Sequence, residues 1–241
     1  MLSKLVYDVF SNHRSIRRYK DLPIPYSDLE IIMESGRRAP TDATLHLWTS
    51  IRVSDKSKRR KISDLIGQRH VYEAAEFFIF LADLYRLEKL LAHRGEEMGE
   101  VDFALLLFAA IDAAIAAENM AIMAEAMGYG ICFIGGIQNA AREIIEILDL
   151  PPKTYPLFGL TIGIPDENPD PRPRLPRSML FHENVYRDYD DSDLSEAYRV
   201  MSSYTGRDWI RVIKRYAGKN GYFEERNRVL RELLRLQNFN I

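Results

Sequence analysis

Cys132 is the one cysteine in this 241-residue chain. A single thiol excludes an intrachain disulfide and a cysteine-based zinc site, and it fits a reducing, cytoplasmic compartment. Histidine is scarce too: there are five, none in HExxH spacing, so no catalytic metal is expected. Neither sign of charge is in excess. The 33 basic and 35 acidic residues leave a net charge of −2, and no global field draws the chain to nucleic acid or to a membrane. The most apolar region, residues 101–127, is broken by Asp102, Asp112, Glu118 and Glu125, too often for a membrane span. The first twelve residues have no apolar core and no small-residue cleavage site, so a secretory signal is not expected.

Familiar catalytic signatures are also missing. Gly128-Tyr129-Gly130 opens like a dinucleotide fingerprint, but the third glycine is absent and the run follows a helix pattern rather than a strand. Gly130 and Gly135 have P-loop spacing, but Gly136 and Ile137 stand where lysine and serine or threonine are needed. There is no GxSxG elbow. Cys132 lies among apolar residues and reads as an inert thiol.

What is present begins with apolar content. At 46% hydrophobic and 28% charged residues, the chain can bury a sizeable core. Residues 5–10 suggest a short helix. Ser27-Asp28-Leu29-Glu30 has the capping-box pattern and should open a helix to about Arg37, which Pro40 stops. A polar loop, residues 41–46, leads to a strand at 49–53. Asp55 should cap a helix over 58–65. Residues 76–83, EFFIFLAD, read as a buried strand. Residues 102–127 read as one long helix, apolar on nearly all sides and therefore central or buried between subunits. A short apolar stretch at 131–134 ends at Gly135-Gly136. A helix over 139–148 and a strand over 157–164 follow. Residues 166–177, rich in proline, should be extended and wrapping. The tail holds two or three helices, the last over 223–237. Strands far apart in sequence and outnumbered by helices give an α+β class without regular βαβ alternation.

Four separated segments share one chemical logic, and a single residue adds to it. His13-Arg14-Ser15-Ile16-Arg17 supplies arginine forks and a hydroxyl suited to phosphate. The loop at 41–46 is polar. Phe133-Ile134-Gly135-Gly136 lets backbone amides approach a flat ligand. Arg172-Pro173-Arg174 holds two arginines in a stiff relation. Gln68 offers a side-chain amide. Any one of these is more simply a turn, a linker or a solvated basic stretch. Together they describe a site for flavin mononucleotide (FMN).

In order along residues 10–190, the segments HRSIRRYKDLPI, GRRAPT, GQRHVYEAAEFFIFLAD, MGYGICFIGGIQN, LPPKTYPLFGLTIGIP and NPDPRPRLP with HENVY resemble the FMN-dependent nitroreductase superfamily. Within it the chain is most similar to the group of oxygen-insensitive NADPH nitroreductases and flavin reductase P. The resemblance implies a central, mostly antiparallel sheet flanked by helices, with the long helix at a homodimer interface. It implies an FMN-binding domain at 1–190 and a helical extension at 191–241 that clasps the partner subunit. It implies a ping-pong oxidoreductase that takes hydride from NADPH or NADH and reduces small flat acceptors such as nitroaromatics, quinones or free flavin.

Carried over position by position, His13, Arg14, Ser15 and Arg17 would hold the ribityl phosphate and the pyrimidine edge, with Arg17 as electrostatic support near flavin N1 and O2. Phe133, Ile134, Gly135 and Gly136 would run beside the ring, Gln68 would bond the ribityl or ring edge, and Arg172, Pro173 and Arg174 would close on the phosphate. No side chain is expected as nucleophile or general acid. The chain departs from the family pattern at Asp42, an anion where hydroxyls are usual, and at His46, which replaces an amide. Thr44 could donate its hydroxyl from the partner subunit. The tail stretch at 202–209 is short, and Arg207, Arg211 and His46 are the candidates for substrate contact. Two other readings stand beside this one: a non-enzymatic flavin-binding or regulatory protein on the same fold, and a nucleic-acid-binding tail built on Tyr204, Trp209, Tyr216 and Tyr222, a pattern that usually marks a solvated helix face.

Overall fold

The computed structural model describes residues 2–203 and 208–241. Tyr204 and Arg207, named above, lie outside the described residues. The chain divides into two compact units, one of residues 1–169 and 232–241 and the other of residues 170–231. The boundary drawn from sequence at residue 190 falls inside the second.

The first unit is a three-layer α+β structure. Its centre is an antiparallel sheet in the order β1-β2-β4-β3, made of β1 (Trp48–Arg52), β2 (Glu76–Asp83), β3 (Gly130–Ile134) and β4 (Thr154–Gly163). All eight residues of β2 are buried because both of its faces are covered. The pleat sends Phe78 and Phe80 to one side and Phe77, Ile79 and Leu81 to the other. The first side packs on α2 (Tyr26–Arg37), through Leu29 and Ile32, and on α6 (Asp102–Ala126), through an alanine-rich stripe. Gly36 lets the two helices meet: a Cβ there would stand 2.7 Å from the Met120 Cγ. The other side packs on α3 (Lys56–Ile66), on a 3₁₀ turn (Gly135–Ala140) and on α7 (Ala141–Ile147). Helices α1 (Leu2–Ser11), α4 (His70–Glu73) and α5 (Tyr85–His93) complete the unit up to residue 169.

Most of the expected elements are present, with local corrections. Asp55 caps α3 by accepting from the Ser57 and Lys58 amides at 2.7 and 3.0 Å, and Gly67 ends it at φ 64°. The capping box at Ser27 does not form. Helix α2 starts from Pro25, whose carbonyl takes the Asp28 and Leu29 amides at 3.0 and 3.1 Å, so the Ser27 amide is already inside the helix. The stretch expected as one helix over 139–148 opens as a 3₁₀ turn, and α-helix follows only from Ala141. Helix α5 was not anticipated.

The 232–241 segment belongs to the first unit. Leu233, Leu234 and Phe239 are buried, the Asn240 amide donates to Asp102 at 2.7 Å, and Lys153 forms an ion pair with the same buried carboxylate. The second unit contains α8 (Arg177–Leu180), α9 (Asp191–Ser203), α10 (Trp209–Ala217) and most of α11 (Tyr222–Leu236).

By length and composition α6 is apolar enough to cross a membrane. In this fold one face packs on the sheet, while Phe103, Leu107, Phe108 and Ile111 are exposed.

Candidate functional site

The arginine-rich segment is laid along the free edge of β3. Ser15 forms a parallel bridge with Ile131, and the Ile16 amide donates to the Ile131 carbonyl at 2.8 Å. Ile16 is buried against Gly130, where a Cβ would stand 2.7 Å from its Cγ1. With Ile16 turned to the core, the extended chain presents alternate residues on opposite sides. Arg14 and Ile16 line a cleft of about 420 Å³ with Asp8, Glu125 and Glu167, and neither Ser15 nor Arg17 lines it.

Tyr19 locks this segment to the sheet. Its hydroxyl donates to the Ile16 carbonyl at 2.8 Å and lies 2.8 Å from the Thr161 Oγ1, while Thr161 in turn donates to the Cys132 carbonyl at 3.2 Å. Burial pushes the Tyr19 phenol well above its ordinary value, so it stays a neutral donor. Glu167 holds the outer strand edge, accepting from the Arg17 and Arg18 amides at 2.5 and 3.1 Å.

The segment splits its polar side chains into two groups. His13 and Arg14 are spent on protein contacts. The His13 Nδ1 donates to Glu125 at 3.0 Å, and Arg14 donates to the Asn12 carbonyl at 2.9 Å and to the Asn168 Oδ1 at 2.5 Å. In contrast, the Ser15 hydroxyl and the Arg17 guanidinium have no hydrogen-bonded partner among the described residues.

A second loop converges on the same edge. Gln68 follows the left-handed Gly67 and lies against Gly136, where a Cβ would collide with the Gln68 Nε2. Gly135, next to it, faces open space, with nothing within 4 Å of an added Cβ. His70, two residues on, has its pKa lowered by burial first and by the Arg17 charge second. The His70 Nε2 is buried without a partner. Phe133 is exposed at the end of β3, while Ile134 is buried. Gln138 orients the glycine pair from behind, donating to the Pro156 and Leu157 carbonyls at 2.7 and 2.6 Å and accepting from the Tyr155 hydroxyl at 2.7 Å.

Within unit one, Gln68 lies against Gly136, while Ser15 and Arg17 sit in the segment laid along the edge of β3, the strand that leads into the glycine pair. The 41–46 loop does not join them. It feeds β1, at the opposite edge of a four-stranded sheet, roughly 14 Å away at about 4.8 Å per strand. Asp42 is half-buried, whereas Thr44 and His46 are exposed. Arg172 and Arg174 belong to the second unit and are exposed, with Arg174 donating to the Arg172 and Pro173 carbonyls at 3.1 and 3.3 Å. In that unit Arg211 is exposed beside Asp208 at 3.6 Å. The residues that sequence reasoning missed are the ones that set the frame: Glu125, Asn168, Glu167, Tyr19 and Asp112. Asp112 and Glu125 left a trace, as acids that break the apolar run of residues 101–127.

The donor set suits a flat, phosphate-bearing group. It offers one unspent guanidinium, one hydroxyl and one carboxamide, the last against Gly136, whose neighbour Gly135 faces open space.

The chain is similar in sequence and fold to known proteins. The nitroreductase family model matches residues 11–164. The FMN reductase (NADPH) of Bacillus subtilis is 40% identical over 178 residues, covering 73% of this chain and 72% of that protein. Nitroreductase A of Vibrio parahaemolyticus superposes with a TM-score of 0.86 at 34% identity, covering 95% of each chain. The NADPH:FMN oxidoreductase of Vibrio harveyi, solved as a complex with NAD+, superposes with a TM-score of 0.83 at 32% identity, covering 89% of this chain and 92% of that one.

Proposed function

The chain belongs to the nitroreductase family, and on that premise we propose that it is an FMN-dependent oxidoreductase using NADPH, or more weakly NADH, to reduce nitroaromatics, quinones or free flavin. The observation that supports this reading is that the Ser15 hydroxyl, the Arg17 guanidinium and the Gln68 carboxamide have no hydrogen-bond partner among the described residues, with Gln68 lying against Gly136. When bound, FMN supplies two-electron chemistry that links oxidation of a pyridine nucleotide to reduction of an acceptor.

The chain's own residues bind, orient and stabilise charge. Ser15 and Gln68 would supply neutral hydrogen bonds. Arg17 would supply a fixed cation that stabilises anionic character on the reduced cofactor. Gly135 would leave room for the ring, and Gln138 and Tyr19 would hold the two walls in place. His13 and Arg14 would act through the frame they form with Glu125 and Asn168.

The site is proposed to be completed in a homodimer. Two features support this: the 41–46 loop and the Ser15–Arg17 segment lie at opposite sheet edges of one chain, and α6 exposes Phe103, Leu107, Phe108 and Ile111. A second copy facing that helix would bring the loop of one chain, with Asp42, Thr44 and His46, to the arginine edge of the other.

The test is anaerobic mixing of the FMN-loaded protein with NADPH and, separately, with NADH. Loss of the flavin band with NADPH, and its return on adding a quinone or nitroaromatic, is expected. A flavin that stays oxidised with both donors would favour a regulatory role instead.

A further inference from the structure

Asp112 is a buried acid in the middle of α6, among the alanines Ala109, Ala113 and Ala116, and is 1% exposed. Its two oxygens take two main-chain amides: Oδ1 accepts from the Asp42 amide at 3.0 Å and Oδ2 from the Leu47 amide at 3.2 Å. No cation pairs with it among the described residues. One carboxylate thus closes both ends of a six-residue loop, as a staple does.

The loop between those ends is strained. Ala43, Thr44 and His46 have φ of 43°, 58° and 52°, a left-handed conformation that side chains with a Cβ rarely adopt. Three such residues in six persist only where the surroundings over-determine them, and such strain gathers at functional sites. A second clamp is present. Arg86 donates to the carbonyls of His46 and Trp48 and, at 2.9 Å, to the Thr49 Oγ1, while its own charge is met by Asp83 at 3.4 Å.

We propose that Asp112 is a positioning residue that holds the 42–47 loop in a strained shape ready to meet the cofactor. It does so through its two amide bonds and touches no ligand itself. This role rests on the proposed reading that the loop completes the flavin site of a second copy. Ile111, the preceding residue, is exposed on the helix face assigned to that contact, so one turn of α6 carries both the staple and the surface proposed to present the loop.

The experiment uses the full chain with Asp112→Asn, Thr44→Ala and the double variant. FMN dissociation constants are read by flavin fluorescence, amide hydrogen exchange at Asp42 and Leu47 is read in the flavin-free protein, and folding is read by circular dichroism. Asparagine keeps one acceptor but turns an NH₂ toward the other amide, releasing one end of the loop. The expected result is a folded protein with faster exchange at one or both amides and FMN affinity weaker on the order of tenfold. Adding Asp112→Asn to Thr44→Ala should cost little more, because both act through one loop. If Asp112→Asn does not fold, Asp112→Glu, with the charge kept and the arm lengthened, carries the same comparison. FMN affinity within about a factor of two of wild type, despite faster exchange, would overturn the role. So would losses that multiply in the double variant. If the wild-type chain binds no FMN, the parent reading fails and this role with it; if it binds and the variant does not differ, this role alone fails.

Discussion

Gln68 lies so close to Gly136 that a methyl group on the glycine would overlap its side-chain amide. This contact joins a loop after α3 to the turn after β3 and sets a carboxamide against the second glycine of the pair. Gly136→Ala should push Gln68 aside. The colliding atom is the end of a flexible side chain, so the stability cost should stay near about 1 kcal/mol, while FMN binding weakens on the order of tenfold. Thermal melts and flavin titration of the same variant separate the two effects. Gly135→Ala is the companion: it meets no protein atom, so any loss of flavin affinity would report the space itself.

The Arg17 charge is the second cause, after burial, of a lowered His70 pKa. Burial and the Arg17 charge both lower the His70 pKa below its ordinary 6.5, so the folded state keeps the imidazole neutral and binds fewer protons than the unfolded chain. Stability therefore falls as pH drops through 6.5 and stops falling once pH is below the folded value. His70→Gln should remove this acid-side loss. Arg17→Gln should move the His70 titration upward, as read by NMR of its ring protons; an unmoved titration would contradict their proximity.

Tyr19→Phe deletes one hydroxyl that serves both Ile16 and Thr161. Leaving those buried groups short of a partner should cost about 1–3 kcal/mol, a fall in melting temperature of several degrees. The Ser15–Arg17 segment should loosen from β3, visible as faster exchange of the Ile16 amide. A variant as stable as wild type would show that the hydroxyl does not hold the segment.

The proposed homodimer, with the 41–46 loop and the Arg17 segment at opposite sheet edges of one chain, makes a sharp prediction for mixed dimers. A chain carrying Arg17→Ala paired with a chain carrying Thr44→Trp should contain one site with both defects and one site with none. Half of the flavin sites should then bind with wild-type affinity. Uniformly weakened sites would mean that Arg17 and Thr44 serve the same cofactor within one chain.

Legibility in the sequence followed locality. Strand β2 was readable to the residue because both its faces are buried and its apolar run ends at charged residues. The cap at Asp55 depends on neighbours two and three residues away and was equally plain. The Ser27 capping box failed because Pro25, rather than the serine, starts the helix. Arg17, Gln68 and the glycine pair were nameable from residue type, and the structure sets Gln68 against Gly136. What could not be read were bonds between distant positions. Arg14 reaches Asn168 and Asp112 reaches Asp42 and Leu47, so the fold decides whether a given polar group is spent on protein or left for a ligand. No periodicity or spacing carries that information.

The central claim is that Ser15, Arg17 and Gln68 are unspent because they hold a flavin. Calorimetric titration of the flavin-free wild-type protein with FMN, beside the Arg17→Ala and Gln68→Ala variants, tests it most directly. The account predicts one FMN per chain, with affinity falling by about one to two orders of magnitude in Arg17→Ala, as expected for loss of a charge-assisted contact. Wild-type protein that takes up no FMN, or variants that bind it as tightly as wild type, would contradict it.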